Sequence, residues 1–226
     1  MNIEERKRQA ACSAAKLIKD GDVVGLGTGS TVYYLILEIS KMLKQGLDII
    51  CIPTSIATKL LAIEHGIKVS SLDECSEIDI AIDGADQIDE RLNLIKGGGG
   101  AHTREKIIAS CAKRFVAIAD STKYSKTLNM PIPIEVLPFA RAFVEKRLLS
   151  LGGKPKIRIA KKKVGPVITD NGNLILDANF GEIENPAELE REINSIPGVI
   201  ENGIFSGMVN EVHLGTKNGV KILKPG

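Results

Sequence analysis

Apolar positions along the first half of the chain alternate between a helical and a strand period. Residues 3–19 keep Ile3, Ala10, Ala14, Leu17 and Ile18 at helical spacing among Lys, Arg and Glu, and Asp20-Gly21 stops the pattern. Val23 to Leu26 is a short apolar run that predicts a buried strand, followed by Gly27-Thr28-Gly29-Ser30-Thr31 and a helix from Val32 to Lys44. Strand, glycine turn and helix make the first β-α unit of a parallel sheet. The alternation continues with strands at 49–52, 67–69, 78–82, 92–95 and 115–119, and helices at 56–65 and 103–113.

This order predicts an α/β protein: a doubly wound, mostly parallel, Rossmann-like sheet with right-handed crossovers. Each strand's carboxyl end carries polar residues: Thr28 to Thr31, Thr54-Ser55, Asp83 with Asp86, and Lys123. Such ends share one rim of an open sheet, so distant motifs are expected in one crevice.

The texture changes near Asn129. A Pro-punctuated strand at 130–137 precedes a helix at 138–150, a strand at 157–160 and a hairpin built on Asp170-Asn171-Gly172-Asn173. A helix at 187–195 and a strand near 199–205 complete a β-α-β-β-α-β order, which predicts a smaller α+β, ferredoxin-like domain. The expected division is 1–129 with 207–226 for the larger α/β domain and 130–206 for the inserted one.

Composition narrows the function classes. With 30 Lys+Arg against 28 Asp+Glu and no Trp, neither charge nor aromatic stacking points to nucleic acid. Cys12, Cys51, Cys75 and Cys111 stand singly among apolar residues, without zinc or redox spacing. The charged N-terminus lacks a signal-peptide core, and the run Val32–Ile39 is interrupted by Glu38 and too short to span a bilayer. The expectation is a soluble cytoplasmic protein with no nucleic-acid or membrane partner and no zinc site.

Candidate chemistry concentrates between Ala81 and Ile108. One strand empties into Asp83-Gly84-Ala85-Asp86, and a second into Lys96 followed by Gly97, Gly98, Gly99 and Gly100. Thr103 is positioned to N-cap the next helix, with Glu105 in its first turn. Each piece has a blander reading: Asx turns for the aspartates, an exposed lysine, and dipole stabilisation for Glu105. Together they make a site in which an ammonium beside bare amides can stabilise an oxyanion, and in which the aspartates either accept from sugar hydroxyls or transfer a proton. A helix start favours the carboxylate anion, so if Glu105 is a base, burial or nearby Asp86 has to push its pKa back up. The segment from Gly25 to Thr31 departs from the dinucleotide fingerprint at Ser30 and lacks a P-loop Lys; it reads equally as a tight turn capped by Ser or Thr, or as a cradle that fits a small phosphorylated ligand better than a dinucleotide. His65, His102 and His213 lack metal-ligand spacing.

These motifs closely resemble the A-type ribose-5-phosphate isomerases. The resemblance rests on G-T-G-S-T at 27–31, D-G-A-D at 83–86, K-G-G-G at 96–99, T-R-E-K at 103–106 and D-x-x-K at 120–123, with T-D-N-G-N at 169–173 and I-P-G-V at 196–199. It departs at Gln87, where the family often has Glu. The resemblance implies reversible aldose–ketose isomerisation of D-ribose 5-phosphate and D-ribulose 5-phosphate, without metal or organic cofactor, by an oligomer of at least two chains. It makes Glu105 the general base and places Asp83, Asp86 and Lys96 around the reacting carbons and oxygens. Gly84, Ala85, Gly97, Gly98 and Gly99 line the sugar, and Thr28, Gly29, Ser30, Thr31 and Lys123 bind substrate, its phosphate included. The rival readings are another isomerase or a deaminase of phosphorylated sugars, a sugar-phosphate sensor and a CoA transferase. A sensor needs no base at Glu105, and a transferase needs a larger ligand surface.

Overall fold

A computed structural model describes residues 1–226. In chain order the elements begin α1 (Ile3–Ala15), β1 (Val23–Leu26), α2 (Ser30–Lys44), β2 (Ile50–Pro53), α3 (Ile56–Glu64) and β3 (Ile80–Gly84). They continue β4 (Gln87–Ile88), β5 (Leu94–Ile95), α4 (His102–Cys111), β6 (Phe115–Asp120), β7 (Ile132–Val136), α5 (Arg141–Ser150) and β8 (Lys154–Ile157). The last are β9 (Leu174–Asn179), α6 (Pro186–Asn194), β10 (Val199–Asn202), β11 (Ile204–Phe205), β12 (Glu211–Thr216) and β13 (Gly219–Leu223). They form two compact units: Met1–Ala85, Arg104–Tyr124 and Met208–Gly226 in the first, Asp86–Thr103 and Ser125–Gly207 in the second.

The first unit is built on a six-stranded sheet in the order β13-β12-β6-β3-β1-β2. All its pairings are parallel except β12 with β13. Short apolar strands of this kind are buried on both faces, which is why they read as continuous apolar runs. Ala10, Ala11 and Ala14 of α1 and Leu35, Ile36 and Ile39 of α2 join Val24, Leu26, Ile82 and Ile118 in one core. α1 is started by Asn2, whose side chain accepts from the Glu5 N–H at 2.8 Å. The chain leaves β1 for β2 on one side, whereas β3 pairs on the other, so the order reverses between β1 and β3. In open α/β sheets that reversal opens a crevice at the carboxyl ends of the strands.

In the second unit the sheet runs β10-β7-β9-β8, wholly antiparallel. Numbered within the unit's β-α-β-β-α-β run, that is fourth, first, third, second, the ferredoxin-like arrangement. Ile132, Ile134 and Val136 alternate toward a core shared with Val144, Leu148 and Ile193 of the two helices, leaving Pro133 and Glu135 for the opposite face. A second small sheet of this unit orders β11-β5-β4.

Several elements differ from expectation. The helix predicted to 19 ends at Ala15, and the strand at 67–69 shrinks to one bridge between Cys51 and Val69. The helix predicted over 138–150 opens as a 3-10 turn, Pro138–Ala140. The strand expected at 157–160 lies at Lys154–Ile157, and the first arm of the hairpin is a single bridge, Ile168 to Leu174. β4, only two residues long, had no apolar run to announce it.

Candidate active site

Gly27 to Thr31 pass from the end of β1 into α2 in the first unit. α2 starts at Gly29 with φ 127°, no side chain caps it, and its first turn holds no acidic residue. The leading N–H groups of such a helix are donors for an anion. Thr28 turns its hydroxyl the other way, into a cluster with Thr54 Oγ1 at 2.8 Å, Ser55 Oγ at 2.8 Å and Thr58 Oγ1 at 2.9 Å. Thr58 in turn donates to Gly27 O at 2.9 Å, so the ends of β1 and β2 are tied by hydroxyls. Ser30 is exposed and Thr31 is buried.

Asp83 ends β3 and is 4% exposed. Its Oδ1 accepts from the Thr28 N–H at 3.0 Å and from the Gly84 N–H at 2.6 Å. Gly27 has no side chain because Asp83 occupies that space: a Cβ there would lie 2.0 Å from Asp83 Oδ1. Gly84 and Ala85 complete the turn, both half-buried.

α4 packs in the first unit through Ile108, whose Cγ2 lies 2.5 Å from where a Gly25 Cβ would be, so β1 needs glycine at that point. Glu105 sits one turn earlier on the same helix face and is 5% exposed. Lys123, half-buried, ends a 3-10 turn that follows β6. Asp120 caps that turn, its Oδ1 accepting from the Thr122 N–H at 2.9 Å.

Asp86 and Lys96 to Gly99 belong to the second unit. Asp86 Oδ2 accepts from the Gly98 N–H at 2.7 Å, and a Cβ on Gly98 would lie 2.8 Å from Asp86 Oδ1. Lys96 is 3% exposed; its ammonium lies 5.5 Å from the centroid of the Phe205 ring, a cation–π distance. Gly97 has φ 102° and faces His102, whose Nδ1 would be 2.8 Å from a Cβ there. The structure thus groups Gly27 to Thr31 with Asp83 in one unit and Asp86 with the glycine run in the other.

Thr103 is not the helix cap. It lies inside α4, and its hydroxyl donates to Glu135 Oε2 at 2.5 Å. Glu135, fully buried in β7, also accepts from Thr169 Oγ1 at 2.9 Å, Asn171 Nδ2 at 3.0 Å and Asn173 Nδ2 at 2.8 Å. Burial opposes its charge, but these donors together outweigh it and hold the carboxyl below the usual range. This is what the T-D-N-G-N motif does: its Thr and both Asn side chains satisfy one buried carboxylate. Gln87 also acquires a role. Its Nε2 donates to Ser125 Oγ at 2.9 Å and Asn129 Oδ1 at 2.8 Å, while its Oε1 accepts from the Asn129 and Met130 N–H groups. A glutamate could accept but not donate there.

Sequence reasoning missed Glu135, Arg158 and Asp177. A lone carboxylate alternating with Ile132, Ile134 and Val136 was the available signal for Glu135; the Arg158–Asp177 pair had none.

Parallel strands with polar carboxyl ends at an order reversal, joined by a buried carboxylate in the first turn of a packed helix, define an α/β enzyme of the open-sheet type. Its relatives narrow the class. Residues 50–219 match the profile of Ribose 5-phosphate isomerase A (phosphoriboisomerase A). The chain is 53% identical to ribose-5-phosphate isomerase A of Methanosarcina acetivorans over 219 residues, which cover 96% of this chain and 93% of that one. It is 50% identical to the Pyrococcus abyssi protein of that name over 228 residues, covering 99% and 100%. The structure of ribose 5-phosphate isomerase A from Methanocaldococcus jannaschii superposes with TM-score 0.94 at 49% identity, covering 98% of this chain and 99% of that one. A D-ribose-5-phosphate isomerase in complex with phospho-erythronic acid gives TM-score 0.97 at 50% identity, covering 99% and 100%. The chain belongs to the ribose 5-phosphate isomerase A family, a family of aldose–ketose isomerases.

Proposed function

We propose that Glu105 is the base that interconverts D-ribose 5-phosphate and D-ribulose 5-phosphate, the reaction of the family to which this chain belongs. Glu105 takes the proton from C2 of the open aldose, and the C1=C2 bond forms as the carbonyl electrons move to O1, giving a cis-enediolate. The same carboxyl returns a proton to C1 while the O2 hydroxyl passes its proton to O1, leaving the ketose. Lys96 stabilises the developing oxyanion, and Asp83 and Asp86 hold sugar hydroxyls and help open the ring. Gly84, Ala85 and Gly97 to Gly99 bring backbone close to the sugar. The phosphate is held by the N–H groups of Gly29 to Thr31 and the Ser30 and Thr31 hydroxyls together with Lys123, on a turn that Thr28 fixes through its bonds to Asp83, Thr54, Ser55 and Thr58; that remote binding orients C1 and C2 against Glu105.

The observation that carries this reading is the burial of Glu105, 5% exposed in the first turn of a helix that follows the glycine run. The relative bound to phospho-erythronic acid supports it, since a sugar acid presents two oxygens on one carbon much as an enediolate presents two on neighbouring carbons. The reaction needs no metal or organic cofactor in this scheme; activity abolished by a chelator and restored by one metal would contradict that. The test of reaction type is incubation with ribose 5-phosphate in deuterated water. Ribulose 5-phosphate carrying deuterium at C1 is the expected product, and absence of any ketose would overturn the proposal.

The oligomer is a homodimer or larger built partly through the second unit, where Phe139 and Phe143 are exposed. Sedimentation at the mass of one chain would overturn it. A reducing cytoplasm suits the four free cysteines, and recovery from another cell fraction would contradict that location. No helix is long and apolar enough to cross a membrane.

A further inference from the structure

Within the second unit, the peptide that joins Gly97 to Gly98 is held at both of its polar atoms. Its carbonyl, Gly97 O, accepts from Arg158 Nη1 at 2.8 Å, and its N–H, on Gly98, donates to Asp86 Oδ2 at 2.7 Å. The same guanidinium nitrogen reaches Gly98 O at 3.2 Å. Arg158 is fixed in turn by Asp177 on β9, through Nε to Oδ2 at 2.8 Å and a second bond from Nη2 to Oδ1. Four groups therefore form one line: Asp177, Arg158, the 97–98 peptide and Asp86. Asp86, Gly98, Arg158 and Asp177 also open onto one cavity of about 250 Å³.

Glycine on both sides leaves this peptide plane free to turn, and side chains cannot restrict it: a Cβ on Gly97 would meet His102, and one on Gly98 would meet Asp86. Hydrogen bonds alone decide which way it faces. Turned over, it would aim a carbonyl at the Asp86 carboxylate, and the two oxygens would repel. The guanidinium, together with the Gly100 N–H that donates to the same Gly97 carbonyl at 2.9 Å, selects the orientation that aims an N–H there, and as the charged donor of the two it polarises the carbonyl and strengthens that N–H. Two nitrogens on Asp177 and a third on the carbonyls use the planar fork, which a lysine cannot reproduce.

We infer that Arg158 is a positioning residue for the isomerisation: it fixes the Gly97–Gly98 peptide and thereby the direction of the Asp86 carboxylate. This rests on the assignment of Asp86 to the sugar in the proposed function. The test is a double-mutant cycle of Arg158→Met and Asp86→Asn, with Asp177→Asn as a second variant should Arg158→Met fold poorly. Arg158→Met is expected to lower kcat/KM about tenfold in the otherwise native enzyme, the usual scale for a group that orients a site residue. In the Asp86→Asn background it is expected to add less than about twofold, because the group it orients is gone. Arg158→Lys is expected not to restore activity, and the Gly98 amide proton is expected to move upfield in Arg158→Met as its hydrogen bond weakens. Equal losses in both backgrounds, or an unchanged Gly98 resonance, would overturn the inference. An Asp86→Asn enzyme with full activity would instead refute the role of Asp86, and the single variant separates that failure from this one.

Discussion

The Thr28 N–H donates to Asp83 Oδ1 at 3.0 Å, linking the carboxyl ends of β1 and β3 where the sheet order reverses. The bond continues the strand ladder, since the Gly27 N–H donates to Ile82 O at 3.0 Å one step earlier. A glycine turn proposed to hold phosphate and a carboxylate proposed to touch the sugar are thus one rigid piece. In the proposed reaction, the distance between the two ends of the substrate is then set by the register of β1 on β3.

Gly27→Ala tests that rigidity. Its φ is not positive, so the backbone accepts alanine, but the new methyl would sit 2.0 Å from Asp83 Oδ1. Asp83 must move by an ångström or more, and misplacement on that scale costs about a hundredfold in rate. The expected result is kcat/KM reduced about a hundredfold with an unchanged circular dichroism spectrum. Activity near that of the native enzyme would show that Asp83 is not held where the reaction needs it.

Glu135 gives the stability of the second unit an acid limb. Its carboxyl is held below its ordinary value of 4.5, so the folded state binds the proton more weakly than the unfolded state does. The stabilisation is therefore complete well above 4.5 and is lost as pH falls through the lower, folded value. Glu135→Gln turns an amide donor toward Asn and Thr donors and should cost about 2–3 kcal/mol at neutral pH. Urea titrations of both proteins should show that gap shrinking in acid below the ordinary value; a gap independent of pH would contradict the account.

The cysteines should react in an order set by burial. Cys51 is buried and its thiol is pushed up to about 12, whereas Cys111 is exposed. Burial also raises Cys12, which is half-buried. With a disulfide reagent at about pH 8, Cys111 should label first and Cys51 only on unfolding, because the thiolate is the nucleophile. Peptide mapping that finds Cys51 labelled in the native protein would contradict the packing of β2.

How much could be read in the sequence depended on how local the cause was. The β1 turn was legible because Gly27 to Thr31 interrupt two clear periods within a few residues. The β-α-β-β-α-β order was legible for the same reason. Thr103 looked like a cap because capping is judged from neighbours, yet its partner Glu135 is 32 residues away. Gln87–Ile88 pairs with Leu94–Ile95 as a ladder of two residues, too short for periodicity to detect. Arg158 was one basic residue among many, and only folding shows it on Gly97 O. The motifs carry the proposed chemistry; the supports beneath them are long-range contacts.

The central claim is that Glu105 moves the proton. Turnover of ribose 5-phosphate and its binding, measured separately on Glu105→Gln, test it most directly. The side chain keeps its shape and loses only its basicity, so kcat should fall by about a thousandfold. The dissociation constant, which reports the phosphate and hydroxyl contacts, should change by less than roughly threefold. Turnover close to the native rate in Glu105→Gln would contradict the account.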